Sequence, residues 1–265
     1  MNLNKELLNE IPSPLDPRDV SIEEIISEKG DIIELPKIVD HRNDLPNAWD
    51  QLVDGPCSAY SAAAIKQYHE FKNYKLKKDL SKRFIYILRK NFPAKGMFAR
   101  DTMDILLNHG IPLEKTFKYK FRKKEDIPQE VYNEASNHKI SAYARIYTIE
   151  GLKRALYDNG PCYIAFPVYS NEPDFWNSRN NYLMGGHACV VVGYNEQGFI
   201  IRNSWGHTWA DKGHSIYSYK DWGVHYEVWT LVDDLTSIEI IKKKVKEREG
   251  LFKKVTKFVK KIFKK

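Results

Sequence analysis

Four residues stand in an order that could perform thiol chemistry: Gln51, Cys57, His187 and Asn203. Cys57 lies in Asp-Gly-Pro-Cys-Ser-Ala, His187 in Gly-Gly-His-Ala (185–188) and Asn203 in Arg-Asn-Ser-Trp-Gly (202–206). A thiol attacks a carbonyl as its thiolate, so a nucleophilic cysteine needs a lowered pKa, which a helix N-terminus and an imidazolium neighbour both provide. Asp54-Gly55-Pro56 suits a tight turn into a helix that begins at Cys57, because glycine permits unusual backbone angles and proline pre-sets the first helical φ. His187 would take the thiol proton and return it to a leaving amine. Asn203 would accept from the other ring nitrogen and fix the tautomer. Gln51, six residues before the cysteine, would offer its amide to a tetrahedral oxyanion beside the Cys57 N–H, a donor worth about 3 kcal/mol of barrier in acyl-transfer sites.

His187 follows Cys57 by 130 residues and Asn203 follows it by 146, so different elements must bring them together. Ser58 through Phe71 carries Ala, Ile and Tyr at helical spacing, with further helical patterns at 79–91, 101–109, 129–137 and 149–158. After Pro161 the character changes to β-branched and aromatic runs at 163–166, 188–192, 199–201, 216–219 and 228–231, which read as strands of an antiparallel sheet or barrel. A helical first half and a stranded second half predict an α+β chain of two lobes.

These motifs resemble the papain-like cysteine peptidases, in particular their short bacterial and phage-type members. The match rests on Asp50-Gln51, Gly55-Pro56-Cys57-Ser58-Ala59, Gly185-Gly186-His187-Ala188 and Arg202-Asn203-Ser204-Trp205-Gly206, and runs from about Val39 to about Tyr219. Both downstream intervals fall in the roughly 130–150-residue window of that family. The resemblance implies a cysteine endopeptidase with Cys57 as nucleophile, His187 as acid and base, Asn203 as orienter and Gln51 as oxyanion donor, needing no cofactor. It further implies that Gly96, Gly186 and Trp205 border the substrate groove, with Trp205 shielding the Asn–His hydrogen bond from water. An amidase or transpeptidase acting on cell-wall peptide would use the same thiol. From a different class, a membrane-active or scaffolding protein could carry the peptidase fold passively.

This chain departs from the family pattern at several points. Ser58 follows the nucleophile where eukaryotic members have Trp, a glycine pair is reduced to Gly96, Trp209 precedes Ala210 instead of Gly, and His214 follows Gly213 in place of an aromatic. A long inhibitory prosegment is replaced by about 38 residues. This acid-rich leader, with a short apolar pattern at Ile22 and Ile25-Ile26, is expected to be a loosely packed arm or a short pro-like segment. The expected organisation is therefore a leader over 1–38, a peptidase domain over 39–235 and a basic helix over 236–265.

Composition narrows the remaining possibilities. Three cysteines in 265 residues do not make a disulfide framework, and Cys162 and Cys189, in apolar strand-like runs, read as buried hydrophobes. The remaining histidines lack the grouping of a metal site. The N-terminus lacks the apolar run of a secretory signal, so an intracellular or virion setting is expected. The net charge of +7 has one address: residues 242–265 hold twelve Lys or Arg against Glu247 and Glu249, leaving the remainder at −3. Nucleic acid is thus an unexpected partner despite the basic pI. In the tail, Leu251, Phe252, Val255, Phe258, Val259, Ile262 and Phe263 share one arc of a helical wheel opposite seven lysines. Such a helix either docks on an anionic membrane surface or acidic partner, or packs its apolar arc on the body.

Overall fold

A computed structural model describes residues 8–51, 56–75, 77–117, 121–179 and 182–262. The Asp54-Gly55 turn and the last three residues lie outside them, as do the side chains of Val255 and of residues 257–262. The leader forms strand β1 (Glu10–Ile11) and helix α1 (Ile22–Lys29), and Val39–Asp40 forms β2. Helices α2 (Cys57–Tyr74) and α3 (Lys82–Ile87), strand β3 (Met97–Phe98), and helices α4 (Ala99–Asn108) and α5 (Gln129–Ala135) follow. Beyond them come β4 (Ala142–Ile146), α6 (Ile149–Asp158), β5 (Cys162–Val168), β6 (Gly185–Tyr194), β7 (Gly198–Arg202), β8 (His214–Ser218), β9 (Glu227–Val232) and α7 (Leu235–Ile262).

Among the described residues a seven-stranded sheet runs β4-β9-β5-β6-β7-β8, with β2 paired to β6. The path ends at β4 and β8, so the strands make an open antiparallel sheet and not a barrel. Residues of β5 alternate between two cores: Cys162, Ile164 and Phe166 face one, Tyr163 and Ala165 the other. Both faces are covered by helices, which is why β5 and β6 read as unbroken apolar runs and not as alternating ones. On one face lie α2 and α4, whose Ala59, Ala62, Ala63, Met103 and Leu106 pack with Ala188, Val190 and Trp229. The small alanines let the α2 backbone approach β6 closely, which positions its N-terminus. On the other face lie α1, α6 and α7.

The leader is not a loose arm. Leu8, Val20, Ile22 and Ile25 are buried, and Ser21 caps α1 reciprocally with Glu24. Helix α7 divides in two. Ser237, Ile238, Ile240 and Ile241 are buried on the body, while Lys243 and Lys244 pair with Glu28 and Arg248 with Glu24 of α1. Beyond Gly250, Leu251 and Phe252 are mostly exposed. Cys162 and Cys189 are free thiols, and they are offset in the ladder, since Cys162 faces Val191 and Ile164 faces Cys189.

Candidate active site

Cys57 is the first residue of an 18-residue helix whose N-cap is Pro56. The partial positive charge of that helix end favours a thiolate. On β6, His187 sits three residues before Val190, which pairs with Arg202 of β7. Continuing that antiparallel register places Asn203 across from Cys189 and Trp205 across from His187. The side chains follow: His187 Nε2 stands 2.7 Å from Asn203 Oδ1, and the Trp205 ring stacks on the imidazole at 4.7 Å between centroids, 26° from parallel. An amide oxygen only accepts, so Nε2 carries the hydrogen and Nδ1 keeps its lone pair. The Ser204 N–H also donates to Oδ1 at 2.7 Å, which fixes the amide's orientation.

Gln51 joins this group from 153 residues away. Its N–H donates to the Ser204 carbonyl at 2.8 Å and its Oε1 accepts from Ser204 Oγ. An Asp50–Trp205 bridge and a Gly206 N–H bond to the Trp49 carbonyl extend the seam. Arg202, a position not assigned a role from sequence, holds the preceding loop by donating to the Pro46 and Asn47 carbonyls at 2.7 and 2.8 Å.

The leader lies across these residues. Its β1 runs parallel to β3, with Glu10 beside Met97, and the Met97 N–H donates to the Asn9 carbonyl at 2.9 Å. On the other side Asn9 bridges Gly186. The expected groove glycines border this trench: a Cβ on Gly96 would collide with the Ile11 side chain, and one on Gly186 with the Glu10 carbonyl oxygen. Trp205 is buried with ring contacts to His187, Phe175 and Trp209. Under the leader, Cys57 and His187 are both fully buried.

Burial sets the charge states. It pushes the Cys57 thiol up to about 12, helped by the Glu10 carboxyl and opposed by the N–H groups of Ala188, Asn9 and Ser58. It also pushes His187 down to about 4 against the Asn203 hydrogen bond. Beneath the leader strand the Glu10 carboxyl accepts from Ser58 Oγ and is raised well above its ordinary value by burial and by Glu227. Sequence reading did not single out Glu10, Tyr163 or Glu227. Nothing in a lone acid ahead of Ile-Pro signals a buried partner more than 200 residues away. Among the described residues no group of His, Cys, Asp and Glu could hold a metal ion.

Comparison with known proteins adds three findings. A family model described as papain family cysteine protease matches residues 35–228. An uncharacterized peptidase C1-like protein of Acanthamoeba polyphaga mimivirus is 31% identical over 223 residues, spanning 70% of this chain and 71% of that protein. Among solved structures, xylellain, a cysteine protease from Xylella fastidiosa, superposes with a TM-score of 0.71 at 24% identity, covering 87% of this chain and 97% of that one.

Proposed function

The chain belongs to the papain family of cysteine proteases, a family of hydrolases, and from that premise we propose that it is an endopeptidase using Cys57, His187, Asn203 and Gln51. The observation that carries this reading is the His187 Nε2–H bond to Asn203 Oδ1 under the stacked Trp205. It leaves Nδ1 as the one basic nitrogen of the ring. With the leader displaced, His187 Nδ1 takes the proton of Cys57, giving a thiolate and an imidazolium. The sulfur attacks the scissile carbonyl, and the oxyanion is held by the Cys57 N–H and the Gln51 side-chain amide. The imidazolium passes its proton to the leaving amine, leaving an acyl-thioester. Water, deprotonated by the neutral imidazole, then releases the carboxylate product and restores the thiol. Asn203 keeps the ring in the tautomer both half-reactions need.

Incubation of a full-length Leu8→Asp, Ile11→Asp chain, whose leader is displaced, with a mixed peptide library, with new termini read by mass spectrometry, tests this reading. Expected are cleavages at internal positions that vanish in Cys57→Ser and slow steeply in His187→Ala. Release confined to cell-wall peptides, or new termini that persist in Cys57→Ser, would overturn it.

A second role is favoured by the end of α7, where Leu251 is 64% and Phe252 61% exposed on a helix followed by lysines. Apolar burial and lysine charge act together on an anionic bilayer. Flotation with phosphatidylserine vesicles should retain the full chain and lose a 1–250 truncation, which keeps the buried isoleucines of α7 and the Arg248–Glu24 pair. Equal flotation of the two would remove this role.

A further inference from the structure

The leader strand carries a carboxylic acid into the protein directly beneath the nucleophile. Glu10 is 4% exposed, and its Oε2 accepts from Ser58 Oγ, the residue after Cys57. Its Oε1 has no hydrogen-bond partner among the described residues. The groups facing it come from four elements: Cys57 and Ser58 of α2, the Ala99 N–H at the start of α4, Tyr163 of β5 and Glu227 of β9. Glu227 is itself 2% exposed and accepts from two N–H donors, Trp229 Nε1 at 2.9 Å and the leader's own Ser13 at 2.8 Å. Arg100, whose backbone N–H donates to Ser13 Oγ at 3.0 Å, adds positive charge on the Glu227 side while pairing with Asp19. Glu10 accepts from the Ser58 and Tyr163 hydroxyls and the Ala99 N–H, but these do not offset its burial and the neighbouring Glu227. In this arrangement two buried carboxylates cannot both be charged, so the closed leader needs a proton on Glu10.

We propose that the Glu10–Glu227 pair is a proton-operated latch on the site assigned above: protonated Glu10 seals the trench, and loss of its proton to solvent releases the leader as pH rises. The latch rests on the peptidase reading only for its consequence, which is that proteolysis is switched on as pH rises.

The sign follows from proton counting. Glu10 holds a proton when docked and gives it up when released, so docking is fully favoured below the ordinary carboxyl pKa of 4.5 and weakens as pH rises towards the docked value. His187 acts oppositely and only in acid, because burial depresses it from 6.5 and docking is lost as pH falls through that interval. Between about 4.5 and 6.5 the two oppose each other, and above 6.5 Glu10 dominates. Cys57 adds to the same alkaline trend, since its thiol is raised while docked.

Hydrogen exchange of the amides of residues 8–13, corrected for intrinsic rates and read in full-length Cys57→Ser at pH 6.5 and 8.5, tests the latch. In that parent, protection should fall with pH by up to about tenfold per unit more than in a Glu10→Gln derivative. A Glu227→Gln derivative should retain more protection at pH 8.5 than the parent. Parallel loss in parent and Glu10→Gln, or protection that rises with pH in the parent, would overturn the proposal. If Glu10→Gln does not fold, Glu227→Gln decides alone, and a pH response equal to the parent's refutes the latch. Because the chain is inactive throughout, the result is independent of whether peptides are hydrolysed.

Discussion

Displacing the leader should convert Cys57 from an inert thiol into a reactive one, and the size of the change can be worked out. Leu8→Asp with Ile11→Asp removes a buried leucine and the isoleucine seated on Gly96. At about 1.5–3 kcal/mol per buried aliphatic side chain, docking loses about 3 kcal/mol or more, roughly 150-fold. Docked, the thiol is held at about 12 against an ordinary 9.0, so its thiolate at neutral pH is about a thousandfold scarcer. A more basic thiolate is intrinsically the better nucleophile, with an exponent of about 0.45, which returns about 20-fold. Release alone should therefore speed alkylation about 50-fold, before any gain from steric access or from His187. The assay is intact-mass kinetics with iodoacetamide at pH 7 on the full-length chain, with Cys57→Ser as the blank for Cys162 and Cys189. Labelling that stays at the parent's rate, while hydrogen exchange shows residues 8–13 released, would refute both the activation of the thiol and its suppression by the leader.

Asn203→Ala leaves the buried His187 Nε2–H without its acceptor; at about 1–3 kcal/mol for a buried hydrogen bond, kcat for peptide hydrolysis should drop roughly 5- to 150-fold. A drop confined to KM would contradict an orienting role. Gly186→Ala sets a methyl group against the Glu10 carbonyl, so protection of residues 8–13 should fall while the melting temperature moves little. Glu70 is buried against Lys66, Lys78 and His138 at 2.9, 3.0 and 3.1 Å. Burial disfavours its charge, yet the His138 hydrogen bond and the two lysines hold it well below the ordinary 4.5. It therefore stabilises the fold above that pH and loses the contribution as pH falls. Glu70→Gln should cost about 3–5 kcal/mol at neutral pH, and in melting curves its gap from the parent should narrow in acid.

The legible parts of the sequence were those whose information is local. The alanine-rich run after Cys57 reads as a helix because its periodicity needs no partner, and α2 starts at the residue expected. The unbroken apolar runs of β5, β6 and β9 read as strands for the same reason. Strand β4, Ala-Tyr-Ala-Arg-Ile, is not legible in the sequence because Arg145 falls in a run whose pairing with β9 is visible only in the sheet. Helix α1 shows in the sequence as a short apolar pattern, and Ser21 and Glu24 spell the capping box that the structure forms. The C-terminal pattern showed amphipathicity but not that its first half grips α1 while Leu251 and Phe252 stay exposed.

By itself the sequence determined which side chains are available for thiol chemistry, since nucleophile, base and amide are properties of residue type and order. Their convergence was left to the sheet and its loops: the β6–β7 register puts Trp205 and Asn203 against His187, and the Trp49–Gln51 segment closes on Ser204 and Gly206. The state of the site was decided only by tertiary structure. The leader's position depends on a backbone hydrogen bond from Met97 and a bridge to Gly186, which carry no side-chain signature, and on seats for Leu8, Glu10 and Ile11 supplied by residues distant in sequence. The charge on Cys57, His187 and Glu10 depends on the burial that results, because ionisation responds to the surrounding dielectric and neighbouring charges and not to residue identity alone.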